Sequence, residues 1–171
     1  MRKSGEVSPT LLVQGPEERG TLHPRSLSCE QDKDDFLKVG RLACLAHGAV
    51  ASVLLTEAWM VQPKDGKRLD LSIPPSRSPD RQEIVSIMGE TRQGHTQKVL
   101  PILRSETGEF LGFGEAQEIK ADNVQGRFAN FLPPAIPDQE TRELAKEALM
   151  YAVAFRARRE DEEKYQGWSR G

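Results

Sequence analysis

Cysteine is scarce: Cys29 and Cys44 are the only two in 171 residues. That is too few for the disulfide framework of a small secreted domain, and their spacing fits no zinc signature. Both read as reduced thiols. No apolar run reaches the roughly 20 residues a bilayer-spanning helix requires, and the basic residues after Met1 lead into no apolar stretch of the kind that marks an export signal. The expectation is a soluble, cytoplasmic chain with no membrane partner. Charge of one sign is also lacking, since 24 Lys and Arg stand against 26 Asp and Glu for a formal net charge of −2. No global field therefore draws the chain to nucleic acid or to an anionic surface. Aromatics make up 6% of the residues and are not interleaved with the basic ones, which speaks against a stacking platform for single strands. A nucleophile triad, a metal-ligand spacing and a phosphate-cradling glycine loop are all missing, so no metal and no cofactor is expected.

What is present suits one domain, because a chain of 19.1 kDa is long enough to bury a real core. Residues 1–28 are dense in Gly, Pro, Ser and charge and read as a mobile arm, with Leu11, Leu12 and Val13 as an apolar island that could instead form an edge strand. Residues 29–165 read as a single α+β domain and 166–171 as a tail. Ser28 followed by Gln31 has the spacing of a capping box. Phe36, Val39, Leu42, Ala43 and Ala46 then recur at helical intervals, and Gly48 offers a stop. Gly40 inside this helix costs about 1 kcal/mol against alanine, unless it permits a close approach to the sheet.

Four apolar, β-branched runs follow. The first, Val50 to Val61, puts Val53, Leu55, Glu57, Trp59 and Val61 on one face and Leu54, Thr56, Ala58 and Met60 on the other, so both faces are largely apolar. A long connection from Gln62 to Gln82 carries Asp65-Gly66 and several prolines. Runs from Glu83 to Glu90, His95 to Ser105 and Glu109 to Ile119 complete a predicted meander, turning at Gln93-Gly94 and Thr107-Gly108. Pro101 conflicts with a central strand, because it cannot donate to the ladder. Either the strand bulges there or the order is not sequential. Asp138 caps the clearest helix, whose Leu144, Ala145, Ala148, Leu149, Ala152 and Phe155 predict one apolar stripe. Arg156, Arg158 and Arg159 then lead into Glu160 to Glu163, so its last turns should project into solvent. The fold class is α+β: an antiparallel β-meander of about four strands with an N-terminal and a C-terminal helix packed on it.

The leading helix, the Glu57-Ala58-Trp59-Met60 strand and the Ser78-Pro79-Asp80-Arg81-Gln82-Glu83 entry to the next strand resemble a group of small bacterial and phage-borne hypothetical proteins. The resemblance spans about the middle half of the chain. It implies a prokaryotic or viral origin and transfers no catalytic residue.

Glu57, Glu90, His95 and Glu115 are the titratable residues a meander might bring together, as an oxygen-rich metal site or a general acid-base pair. Scattered strand carboxylates are more often sheet surface. Glu57, between Leu55 and Trp59, would need a partner if buried. His47 stands at a helix end, where it favours a capping role. Lys64, Lys67, Arg68, Arg77 and Arg81 bias the long loop positive and, with Arg92, Lys98 and Arg104, offer a phosphate-contacting surface. Trp59, Arg77, Arg81, Phe128 and Phe131 are the candidate partner-binding residues. Because the first strand is apolar on both faces, the reading is a non-enzymatic protein-interaction module, such as a phage or mobile-element accessory protein, that binds a protein partner or itself as a homodimer. The alternatives are nucleic-acid binding through the 64–81 loop and a carboxylate/histidine enzyme.

Overall fold

Three long strands form the centre: β3 (Ala51–Met60), β4 (Gln82–Thr91) and β5 (Gly94–Arg104). The computed structural model describes residues 6–24, 26–62, 72–119 and 128–168, with side chains as far as Val153. β3 and β4 pair antiparallel along their whole length, from Ala51 opposite Thr91 to Met60 opposite Gln82. Thr91 pairs with Gly94 across a tight turn at Arg92 and Gln93, and Gly94 takes φ +143°, open to glycine and strained for other residues. These strands lie within a residue or two of the predicted runs.

The last predicted strand is broken. β6 (Phe110–Phe113) and β7 (Gln117–Ile119) share one edge of β5, β6 along Ile102 to Arg104 and β7 along Gln97 to Val99. The interruption falls opposite Pro101. A strand residue points its N–H and C=O to the same side, and the Pro101 carbonyl accepts the Gly114 N–H at 2.8 Å. The donor that proline lacks would therefore also face this edge, while the β4–β5 ladder keeps all its bonds. The predicted conflict at Pro101 is thus resolved by breaking its neighbour.

The strand count corrects the expectation of about four to seven among the described residues, in the order β2-β1-β3-β4-β5-β6 with β7 also on β5. Two of the additional strands, β1 (Thr10–Gln14) and β2 (Arg19–Leu22), come from the segment read as an arm. Leu11 and Val13 are 0% and 2% exposed and Leu12 42%. This alternation puts one face in the core, and β1 is no edge: it lies between β2 and β3. Five residues are too few for local pattern to announce a strand whose stability comes from neighbours distant in sequence.

The first helix therefore follows a hairpin. α1 (Glu30–Ala46) is capped by Cys29, whose Sγ accepts the Asp32 N–H at 3.4 Å, one residue later than the predicted Ser28 cap. It ends as expected at Gly48 (φ +55°), with Gly48 N–H donating to Leu45 O at 3.0 Å and Ala49 N–H to Cys44 O at 2.8 Å, the two bonds of a Schellman motif. Its buried face, Phe36, Ala43 and Cys44, meets Leu11 and Val13 of β1, Leu54 of β3, Ala49 and Phe131.

α2 (Gln139–Trp168) begins as predicted, the Asp138 Oδ1 accepting the Thr141 N–H at 2.8 Å. It packs along α1. Its buried side is Ala145, with Leu149 and Ala152 half-buried, whereas Ala148 is exposed and Leu144 is 62% exposed. The predicted stripe is therefore only half used: the contact turns toward the alanine side, where small residues let α2 approach α1. Phe155 lies outside the described side chains.

On the sheet face turned away from α1, Val85 and Ile102 are buried and Val53, Leu55, Ile87 and Leu100 half-buried. One end of this face is polar. Glu83 there takes Arg104 in a two-point pair, Nε donating at 2.5 Å and Nη2 at 2.8 Å.

Candidate functional site

The four carboxylate and imidazole candidates do not form one cluster. Glu90 pairs with Ser52 and His95 on the α1 face, whereas Glu57 lies at an odd position of β3 on the other face, opposite Val85. Glu115 sits exposed in the break between β6 and β7. The His95 Nε2 to Glu90 Oε1 distance is 3.7 Å, with Glu90 12% exposed. The other Glu90 oxygen accepts the main-chain N–H groups of Phe131 and Leu132 at 2.8 and 3.3 Å. Glu90 is thus a clasp that holds the segment before α2 to the sheet. Glu57 accepts the Val7 N–H at 2.5 Å, which ties the segment preceding β1 across the second face. Among the described residues no three His, Cys, Asp or Glu side chains are grouped for a metal ion.

His47 keeps its predicted place as the C-cap of α1, but its ring is engaged elsewhere. Nδ1 lies 2.9 Å from Glu18 Oε2, and the ring rests over Gly20, where a Cβ would stand 3.2 Å from Nε2. The hydrogen bond to His47, aided by the charge of Lys146, holds the Glu18 carboxyl below its ordinary value.

The partner-binding candidates divide. Trp59 is 42% exposed, and the Arg81 guanidinium lies over its ring, 4.7 Å from the centroid, while Arg81 Nη1 also donates to Ser76 O at 2.6 Å. Arg77 ends the 3-10 turn Pro75–Arg77 and is exposed. Phe128 and Phe131 meet Phe36 edge-on at 6.1 and 6.3 Å. Phe131 is 3% exposed, which removes it from any surface: it anchors the segment as a core residue. Lys64, Lys67 and Arg68 lie outside the described residues. Of the other basic residues proposed for a phosphate surface, Arg104 is engaged by Glu83, and Arg92 donates to the carbonyls of Ala49, Pro133 and Pro134.

Two surfaces went unread in the sequence. One is the outer side of α2, where Leu144, Met150, Tyr151 and Val153 are 54–75% exposed. The helical period did locate Leu144; what it could not supply was which side α1 would take. The other is an open groove of about 630 Å³ between α1, the β4–β5 turn and residues 130–134, lined by Arg41, Glu90, Arg92 and a run of apolar side chains. Glu90 and Arg92 stand among the sequence candidates, but for other sites, and spacing alone does not bring them to Arg41 of α1.

The chain matches no family model, no curated protein and no solved structure. The functional reading therefore rests on the chain's own geometry.

Proposed function

We propose that this chain is a non-enzymatic interaction module that binds a second copy of itself through α2. The observation that carries the reading is the uncovered side of that helix. Leu144 and Tyr151 are 62% and 75% exposed and, with exposed Ala148, recur at i, i+4 and i+7, so they form one stripe. Met150 and Val153 are also exposed, but six and nine positions beyond Leu144 they project from other sides of the helix and stand apart from this stripe. An apolar stripe on a helix side that no other element covers is a candidate interaction surface.

A two-fold axis crossing the helix near Ala148 would set the two copies antiparallel, with Leu144 of one beside Tyr151 of the other, the self-complementary arrangement of such a dimer. Burying a large apolar side chain contributes about 1.5–3 kcal/mol, and the loss of free motion on association costs about 4–15 kcal/mol. Leu144 and Tyr151 from each copy give a dimer of modest affinity that depends on concentration.

Sedimentation equilibrium over a concentration series tests this. The mass should rise from one chain of 19.1 kDa toward two, and the double variant Leu144→Glu, Tyr151→Glu should stay at one chain with unchanged helical circular dichroism. A single-chain mass for the parent protein up to about 1 mM, where even weak association is populated, overturns the proposal.

A further inference from the structure

We propose that the groove between α1, the β4–β5 turn and residues 130–134 binds a small organic monocarboxylate with an apolar body. The groove encloses about 630 Å³, within the range of small-molecule sites. Two arginines supply its positive charge. Arg41, on α1, donates through Nε to the Asn130 carbonyl at 3.1 Å. Arg92, in the turn, donates through Nη1 to the Pro133 and Pro134 carbonyls at 3.4 Å and through Nη2 to the Ala49 carbonyl at 3.3 Å.

These bonds fix each guanidinium in place without neutralising it, since a carbonyl is a dipole and not a counter-charge. Among the described residues neither arginine has a carboxylate within ion-pair distance. Arg41 uses only Nε in these bonds, which leaves both terminal nitrogens, the edge that matches a carboxylate in two-point fashion. Asn130, at φ +62°, adopts the left-handed conformation that asparagine tolerates better than most residues, and its carbonyl is the one that Arg41 holds.

Charge decides between ligands. Glu90 also lines the groove; its Oε2 accepts the Phe131 and Leu132 N–H groups, and its Oε1 lies 3.7 Å from His95 Nε2. Two guanidinium charges against one carboxylate among the lining residues leave about one net positive charge. A monoanion balances that, whereas a phosphate dianion would be left in excess beside Glu90. Beside the polar Thr91 and Asn130, the lining residues Leu45, Leu132, Pro133 and Pro134 give the ligand's hydrocarbon part a surface to cover.

Titration of the ¹⁵N-labelled protein with sodium benzoate at pH 7, followed by NMR, tests the proposal, with benzyl alcohol as the uncharged control and phenyl phosphate as the dianion. Benzoate should shift the amides of Thr91, Asn130 and Leu132, benzyl alcohol should not, and phenyl phosphate should bind more weakly than benzoate. Arg41→Gln should weaken benzoate at least tenfold, and Arg41→Lys, which keeps the charge and loses the fork, should fall between. Arg41 is exposed on a helix, so both variants should fold, and their unchanged spectra away from the groove would show it. Equal shifts from benzoate and benzyl alcohol, tighter binding of phenyl phosphate, an Arg41→Gln protein that binds as well as the parent, or no shift at about 10 mM benzoate, weaker than any useful affinity, would each overturn it.

Discussion

Gly40 of α1 lies against the ring of Phe131: a Cβ placed on it would stand 2.6 Å from Phe131 Cε1 and 2.9 Å from Leu11 Cδ2. The glycine lets the helix, the sheet and the segment before α2 meet at one point. Gly40→Ala gains about 1 kcal/mol of helix propensity and loses about 1–3 kcal/mol to overpacking. Both neighbours are buried and have little room to give, so overpacking wins. The variant should unfold in urea with a net loss of about 1 kcal/mol; a gain in stability would show that the core repacks freely.

Glu90 is the clasp on that same segment. Bonds from main-chain N–H groups to an ionised carboxylate contribute about 1.5–3 kcal/mol each when the donor is otherwise left unpaired. Glu90→Ala removes the acceptor of the Phe131 and Leu132 N–H groups and should lower stability by about 2–4 kcal/mol. Glu90→Gln keeps an acceptor oxygen and should lose about half as much. Hydrogen exchange supplies the check: the Phe131 amide should speed up more in the alanine variant than amides in β3. Uniform acceleration of both would mean the clasp has no local effect.

The two cysteines should react differently. Cys44 is 0% exposed, and burial, helped by the nearby Glu90 charge, pushes its thiol up to about 12. Cys29 is exposed at the start of α1. Iodoacetamide at about pH 8, just below the ordinary thiol value, should modify Cys29 alone, with Cys44 reached only after denaturant is added. The sign for stability follows. An unfolded thiol ionises near its ordinary 9.0 and the folded one near 12, so this group's contribution is complete below pH 9.0 and is lost as pH rises through that interval. Mass spectrometry showing both thiols alkylated in the native protein would contradict this.

The Glu83–Arg104 pair predicts a dependence at the acid end. The hydrogen bonds from Arg104 hold the Glu83 carboxyl below its ordinary 4.5. Its folded value is depressed, so the contribution is present above 4.5 and is lost as pH falls through the folded value. Glu83→Gln should therefore be less stable than the parent at neutral pH, and the gap should close on acidification. Melting curves that stay equally far apart from pH 7 to about pH 2.5, below ordinary carboxylate values, would show that ionisation of Glu83 is not the cause.

Much of the fold was legible locally. β3, β4 and β5 announced themselves by length and β-branched content, Gly48 by the conformation a helix stop needs, and Asp138 by the donors a helix start leaves unpaired. Pro101 was legible as a conflict, and the outcome, β6 and β7 parted opposite it, needed only the knowledge of which side its missing donor faced. Leu11, Leu12 and Val13 were visible as an island, but their role as β1 depends on β3, some forty residues later in the chain. Glu57 and Glu90 could not be assigned roles from spacing, because their partners are main-chain N–H groups at Val7 and Phe131, and a main-chain donor carries no residue identity.

The sequence by itself determined α1, the three long strands and α2, and where α1 stops and α2 starts, because these follow from neighbours a few residues apart. Only the tertiary structure decided that residues 10–22 join the sheet as a hairpin, which apolar side chains of α2 stay exposed, that Phe131 is core, and that Arg41 and Arg92 face one groove. Each of these is set by how whole elements are rotated and docked, and that depends on packing between residues far apart in the chain.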